Sequence, residues 1–297
     1  MHFIAKQAIL SLLFFKIQQM DALRKLLTTY AYNILGSLED AKDAVQDAYL
    51  NFMEHDTAAI ENKKAYLVRS VINISINLKN RQKRLRSVYP GEWLPEPIAT
   101  EKADASFNQK EILSYSLMVL LEKLNAKQRA VFILKEAFNY DHDEIGAVLD
   151  ISAENSRQLL SRAKTKLGAI EINNEQKVLP GNLDKYLSVI QNADMQQLEK
   201  ILYEDIMVVS DGGGKAVAFR KPVKGSKDVT ALLLGVYKKF YHQATFKKTT
   251  INHQPALLYY ENDLLVTCQI FSLKNNKINN VYFIRNPDKL KMLQKNF

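Results

Sequence analysis

Residues 141–167 carry the side chains best suited to reading another molecule. Residues 141–149 have helical spacing, Asp150-Ile151-Ser152 has the composition of a tight turn, and residues 153–167 form a second helical stretch. That order and spacing fit a helix-turn-helix. On the second stretch Ser156, Leu159, Leu160, Ala163 and Leu167 share one side of a 3.6-residue period, which leaves Glu154, Arg157, Gln158, Ser161, Arg162 and Thr165 on the other. Glu154, Arg157 and Gln158, in the N-terminal half of that stretch, match the edges of cytosine, guanine and adenine, and Arg162 and Lys164 further on supply cationic partners for phosphate. Any helical hairpin can imitate this spacing, so the rest of the chain has to supply the context.

A second constellation is acidic. Ser37 stands where an N-cap is needed, and residues 39–54 then bury Val45, Ala48, Tyr49 and Phe52 as one stripe. Asp40, Asp43, Asp47, Asn51 and Glu54 fall opposite. Phosphate repels such a row, so the face is either solvated or meets a protein. A third constellation is its electrical opposite, because residues 62–91 hold Lys63, Lys64, Arg69, Lys79, Arg81, Lys83, Arg84 and Arg86 without one Asp or Glu. Tyr66 sits beside these cations, and Asn73 and Asn77 lie one turn apart, which suits stacking and hydrogen bonding to unpaired bases. A charged helix with an ordinary packing tyrosine gives the same pattern.

The elements that must position these groups follow from punctuation and period. Apolar residues recur at helical spacing over 23–85 and 112–167. Between them Pro90, Pro95 and Pro97 surround Trp93, the sole tryptophan, and make an extended linker with two apolar anchors, Trp93 and Leu94. From residue 180 onward the pattern mixes types. Residues 183–202 and 229–240 read as helix, 206–210, 256–260, 264–273 and 281–284 as strand, and Asn275-Asn276 as a hairpin turn. A curved sheet with helices to one side is the expected packing.

Length and composition bound what this can be. At 297 residues, 47% hydrophobic and 25% charged, the chain can bury more than one core. Its 41 basic against 32 acidic residues leave +9, of which most lies after residue 172, where 18 basic face 11 acidic residues. That balance favours a polyanionic partner. The single cysteine, Cys268, excludes an internal disulfide framework and reads as a core residue, and the five scattered histidines offer no metal constellation. The apolar run at residues 8–15 is too short to span a bilayer and lacks a small-residue cleavage site. It reads as an extension of the first helix, or as sequence ahead of a start at Met20, in a cytoplasmic protein with no membrane partner.

Six stretches together resemble a family. Residues 34–47, 64–69, 93–97 (WLPEP) and 154–163 are similar to the extracytoplasmic-function sigma factors of RNA polymerase. Asp211-Gly212-Gly213-Gly214-Lys215 and Asn286-Pro287-Asp288-Lys289-Leu290 resemble the subgroup with a fused SnoaL-like domain. The resemblance implies a multidomain chain of two all-α sigma domains, the second with the helix-turn-helix, followed by an α+β SnoaL-like cone. Its expected divisions are 1–88 for sigma domain 2, 89–108 for the linker, 109–172 for sigma domain 4 and 180–297 for a regulatory SnoaL-like domain.

Roles follow from the same resemblance. Asp40, Asp43, Gln46 and Asp47 would bind core RNA polymerase. Lys63, Arg69, Asn73, Asn77, Arg81 and Arg84 would hold the upstream promoter hexamer as single strand, and Glu154, Asn155, Arg157, Gln158, Ser161, Arg162 and Lys164 would read the farther element. Trp93, Leu94, Pro95, Glu96 and Pro97 would meet Asp211, Gly212, Gly213, Gly214, Lys215, Asn286, Pro287 and Asp288 in a regulatory contact, with Lys215 placed for Glu92 or Glu96. No separate anti-sigma factor, cofactor or metal is expected; a small ligand in the cone is left open. The first 20 residues match nothing in the pattern, and the recognition helix is lightly charged for its role.

Two motifs tempt toward catalysis. Gly212-Gly213-Gly214-Lys215 lacks the spacing of a phosphate-binding loop and has Ala216 in place of the hydroxyl residue, so it reads as a turn. SnoaL-like folds include proton-abstracting enzymes, which makes His242, His253 and Asp263 acid/base candidates without a shared spacing. The rival readings are a SnoaL-like enzyme or ligand-binding module fused to a DNA-binding regulator, and a helix-turn-helix repressor. Residues 39–86 discriminate, since a repressor needs no acidic helix followed by a basic, aromatic one.

Overall fold

The computed structural model describes residues 2–54, 60–85, 88–101, 107–168 and 181–296. The chain forms two compact units, one from residues 1–82, 104–112 and 123–169, the other from 83–103, 113–122 and 170–297.

The first unit is helical, with α1 His2–Leu35, α2 Leu38–Glu54, most of α3 Lys63–Leu85, and, after α4 Tyr115–Leu120 of the second unit, α5 Ala126–Glu136, α6 His142–Leu149 and α7 Ala153–Leu167. Local chemistry sets the boundaries. Gly36 takes φ 76° to end α1, and the Ser37 hydroxyl accepts from the Asp40 amide at 3.3 Å to start α2. Asn125 with Gln128 and Asp141 with Glu144 form capping boxes on α5 and α6. Asp150 turns left-handed at φ 54°, and Ser152 caps α7 through the Asn155 amide at 3.1 Å. Gly146 makes this turn tight, since a Cβ there would stand 2.7 Å from the Ile151 carbonyl oxygen. The core runs through Leu27, Ile34, Leu35, Ala41, Val45, Val71 and Ile72. Arg129, fully buried, donates from Nε to the Asn33 carbonyl at 2.9 Å, so its charge is held by a hydrogen bond that the chain reversal at Gly36 leaves open.

The second unit is α+β. Helices α8 Gly181–Gln191 and α9 Met195–Ile201 lead into β1 Leu202–Asp211, then β2 Val223–Lys224, α10 Ser226–Val236, β3 Thr245–Ile251, β4 Gln254–Glu261, β5 Leu264–Lys274, β6 Lys277–Ile284 and α11 Pro287–Asn296. The strands order as β2-β1-β6-β5-β4-β3, with β1 parallel to β6 and the other pairings antiparallel. Asn252-His253, Asn262-Asp263 and Asn275-Asn276 each take positive φ at both positions, the backbone a two-residue hairpin requires.

Both faces of the sheet are covered. On one, α8, α9 and α10 pack Tyr186, Leu198, Val229 and Leu233 against Leu257, Tyr259, Phe271 and Phe283. On the other, Leu94 and Ala99 of the proline-rich segment, Tyr115 of α4 and Leu290 and Leu293 of α11 cover Leu258, Cys268, Ile270 and Tyr282. The expectation of helices to one side is thereby corrected. Seven consecutive residues of β4, from Gln254 to Tyr260, are buried, and such continuous burial demands cover on both faces. Strands β2 and β3 and the length of α11 also went unread, because Lys247-Lys248 and the closing Lys/Asp pattern break the apolar alternation.

Candidate functional sites

On α2 Val45 and Ala48 of the expected stripe are buried, together with Ala41 and Ala44, while Tyr49 and Phe52 are only half-buried; Asp43, Gln46 and Asp47 are exposed. Asp40 is half-buried and accepts from Gln82 Nε2 at 2.7 Å, which ties α2 to α3 and sets it apart from the other acids. Gln46 also lines an open groove between α1 and α2 with Arg24, Lys42 and Tyr49.

On α3 Lys63, Arg69, Asn77, Arg81 and Arg84 are exposed. Lys79 is not part of that face; it is buried and donates to the Leu35 carbonyl at 3.0 Å. Asn73 is half-buried, and its Nδ2 donates to Arg69 O at 2.9 Å and to Val148 O, at the end of α6, at 3.0 Å. The two asparagines that share a face in sequence thus differ in circumstance, and only Asn77 is exposed.

The helix-turn-helix presents the expected surface. Ser156, Leu160, Ala163 and Leu167 are buried, and Glu154, Asn155, Arg157, Gln158, Ser161, Arg162 and Lys164 are exposed. Buried Ser156 hydrogen-bonds His142 Nδ1 at 2.9 Å, locking α7 to α6. Glu154 lies 3.6 Å from Arg157 and accepts from Gln158 at 3.3 Å, so these base-reading candidates hold one another in the free chain. Lys164 pairs with Glu136 at 2.7 Å.

In the second unit the WLPEP, Asp211 and Asn286 motifs converge. Asp211, 1% exposed, accepts at Oδ1 from Tyr89 Oη at 2.5 Å and the Gly213 amide at 2.9 Å, and at Oδ2 from the Leu94 amide at 2.9 Å and Lys289 Nζ at 2.5 Å. Lys289 also donates to the Leu94 carbonyl and lies 4.2 Å from the Trp93 ring centroid. Asn286 opens α11: its Oδ1 accepts from the Asp288 amide at 3.1 Å, Pro287 fills the first helical position, and Nδ2 donates to Tyr89 Oη at 3.1 Å. The glycines permit this closeness. A Cβ on Gly213 would fall 2.3 Å from Asn286 Nδ2, and one on Gly214 2.6 Å from Pro90 Cγ.

Lys215 pairs with Asp288 and not with Glu92 or Glu96 as expected. The tie holds the glycine loop to α11, and the two lysines flanking Asp288 in space, Lys215 and Lys291, hold its carboxyl below the usual range. Glu96 and Pro95 to Ala99 are buried against the sheet, where Ile98 and Asn252 exchange backbone and side-chain hydrogen bonds at 2.9 Å. The first helix after the linker joins this face. Tyr115 Oη donates to Pro95 O at 2.7 Å, Asn252 Nδ2 to Leu113 O at 3.1 Å, and Ser116 and Gln254 bond each other twice at 2.9 Å.

Sequence reasoning missed Tyr89, Lys289, Asn252, Gln254 and Tyr115. A signal existed for Lys289 alone, as the fourth residue of the Asn286 motif. The three acid/base candidates do not meet. His253 and Asp263 stand at hairpin tips at opposite ends of β4, roughly 25 Å apart along a strand of that length, and His242 is exposed. Inside the cone, Tyr186, Tyr259 and Gln269 form a buried hydrogen-bonded chain, and burial pushes both phenols well above the ordinary tyrosine range.

Comparison with known proteins agrees with both units. The sigma-70 region 2 family matches residues 20–85 and the sigma-70 region 4 family residues 114–167. The ECF RNA polymerase sigma factor SigJ of Mycobacterium tuberculosis is 29% identical over 237 residues, covering 76% of this chain and 74% of that protein. The probable ECF RNA polymerase sigma factor SigI of the same organism is 22% identical over 286 residues, covering 91% and 93%. The crystal structure of SigJ superposes with a TM-score of 0.77 at 25% identity, over 92% of this chain and 98% of that one. The second unit, where WLPEP meets Asp211, therefore lies within the matched architecture.

Proposed function

Because the chain belongs to the extracytoplasmic-function RNA polymerase sigma factors, with regions 2 and 4 followed by an α+β SnoaL-like domain of the NTF2 type, we propose that this C-terminal domain controls it by gripping the linker between the two regions. Sigma factors bind core RNA polymerase and promoter DNA and are not enzymes. Asp43, Gln46 and Asp47 present the acidic face to core polymerase, while Asp40 serves mainly to fix α2 on α3. Lys63, Arg69, Asn77, Arg81 and Arg84 contact the upstream element, with Asn73 joining them once it leaves Val148. Arg157, Gln158 and Glu154 read the farther element, and Asn155, Ser161, Arg162 and Lys164 position the helix on phosphate.

The observation that carries the control reading is Asp211, one buried carboxylate that receives donors from the linker at Tyr89 and Leu94 and from α11 at Lys289. The grip extends to the start of region 4, whose Tyr115 and Ser116 are bonded to the linker and to β4. No separate anti-sigma factor is required by such an arrangement, because the inhibitory or organising contact is intramolecular. The test is promoter-dependent transcription in vitro with purified core polymerase. Asp211→Asn, with the same shape and no charge for Lys289, should change transcript yield at least several-fold while capture of core polymerase stays as in the parent. Equal yields from the two proteins would remove the C-terminal domain from control.

A further inference from the structure

Within the first unit, regions 2 and 4 meet through a joint of paired polar atoms. Asn33 of α1 donates from Nδ2 to the Glu111 carbonyl at 2.8 Å, while its own carbonyl accepts from Arg129 Nε of α5 at 2.9 Å. One turn earlier on α1 the Thr29 hydroxyl accepts from the Asn108 amide at 3.1 Å, and the Tyr30 and Tyr140 hydroxyls lie 3.1 Å apart. Rings close around these bonds. Centroid to centroid, Tyr30 stands 4.1 Å from Phe138 and Tyr32 5.6 Å from Phe107. A second contact is Asn73 of α3, whose Nδ2 donates to the Val148 carbonyl of α6 at 3.0 Å. While the joint is closed, a side chain that α3 would offer to promoter DNA is occupied by region 4.

One atom of this joint is unmatched. Glu111 Oε2 is shielded from water and has no hydrogen-bond partner among the described residues. Asn108, which bonds the carboxyl, Lys64 of α3 and Tyr30 of α1 are the groups that face it, and Lys110 on its own turn is exposed. Burial raises the Glu111 carboxyl above its ordinary range by more than Asn108 and Lys64 lower it. Tyr30 stays a neutral phenol, held above its ordinary range first by burial, then by the Tyr140 bond and the charges of Glu111 and Glu144. A dry, unpaired carboxylate oxygen is costly, and the neutral carboxyl costs less. Separation of the two regions would hydrate it.

We propose that this joint is a proton-operated lock on promoter capture: protonated Glu111 keeps regions 2 and 4 closed with Asn73 withheld from DNA, and loss of the proton opens them. The contribution of Glu111 to closure is fully present below the pKa of the open form and is lost as pH rises through that of the closed form. Between the two values each pH unit shifts the balance by up to about tenfold. The lock is separate from the Asp211 grip on the linker, and it rests on the reading of Asn73 as a DNA contact.

The experiment uses the full chain with nitroxide labels on Asn51→Cys of α2 and Asp143→Cys of α6, both exposed, while Cys268 is buried. Electron–electron resonance distances are recorded from about pH 5 to about pH 8. The labelled parent should show one short distance at the acid end and a growing longer population as pH rises. Glu111→Gln, neutral at every pH, should keep the short distance throughout. Asn33→Ala, which removes the bond to the Glu111 carbonyl and leaves the carboxyl in place, should lengthen the distance at every pH. Affinity for a promoter fork with its upstream element single-stranded should be several-fold weaker for Glu111→Gln than for the parent near pH 8, and equal near pH 5. A parent distance that ignores pH, or a Glu111→Gln chain that follows the parent's course, would overturn the proposal. So would distances that respond as expected while the affinity ratio stays constant. Capture of core polymerase by the parent chain reports separately on the sigma-factor assignment.

Discussion

Lys289 Nζ lies 2.5 Å from Asp211 Oδ2, with the aspartate side chain wholly shielded and the lysine side chain 11% exposed. A carboxylate buried this deeply is tolerable only when its lone pairs are filled, and here the Tyr89 hydroxyl, the Gly213 and Leu94 amides and the ammonium fill them. The pair is thus the joint at which β1, α11 and the linker are fastened.

Asp211→Ala leaves Lys289 charged and two linker donors without an acceptor. The cost should be about 3 to 5 kcal/mol of the stability of the second unit. Urea unfolding followed through Trp93, the single tryptophan and the ring beneath Lys289, measures it. A midpoint within error of the parent's would mean that the joint contributes nothing.

Gly214→Val tests the close approach without touching the carboxylate. At φ 71° and 2.6 Å from Pro90 Cγ, a branched side chain is both strained and obstructed. The linker should lift from the glycine loop, shifting Trp93 emission to longer wavelength, while the Tyr186–Gln269 side of the sheet stays folded by circular dichroism. Parent-like emission would show that Pro90 simply yields.

For the polymerase face, the double variant Asp43→Lys, Asp47→Lys should lose capture of core polymerase by tenfold or more and unfold at the parent's temperature, because both side chains point to solvent. Intact capture by the folded variant would move the interface elsewhere. Asp40→Ala should instead lower stability by about 1 kcal/mol through the lost Gln82 bond.

Promoter reading separates the exposed residues of α7. Arg157→Ala should cost about 1 to 3 kcal/mol at one position of the farther element, measured by competition among single-base variants. Arg162→Ala should weaken every sequence alike and flatten the salt slope by about one. A uniform loss for Arg157→Ala would make it a phosphate contact.

Acid dependence follows from Glu111. Burial raises its carboxyl above the ordinary range, partly offset by a hydrogen bond from Asn108 and the charge of Lys64. With the folded value above the unfolded one, the contribution is fully present below the unfolded pKa and is lost as pH rises through the folded pKa. Glu111→Gln should therefore raise the urea midpoint at pH 7 and leave it unchanged near pH 3.5. A benefit confined to the acid side would reverse the sign of this assignment.

What the amino-acid sequence determined by itself was local. Ser37, Asn125, Asp141 and Ser152 cap helices through amides three residues away, and a 3.6-residue period decides which side of α2 and α7 is wet. The Asn275-Asn276 turn and the composition of the proline-rich segment are equally short-range, so both helical regions and an α+β tail were legible. The continuous burial of β4, and with it the need for cover on two faces, emerged only from the structure, since the sequence by itself predicts helices on one side. What would cover the second face was decided only by the tertiary structure. A proline-rich segment supplies Leu94 and Ala99 to whatever apolar surface it meets, and no period in its own residues names that surface. The donors on Asp211 come from 122, 117 and 78 residues away in the chain, besides the neighbouring Gly213 amide. Lys215 likewise chose Asp288 over the two linker glutamates because folding of α11 placed that carboxylate beside the glycine loop, a proximity that chain order does not encode.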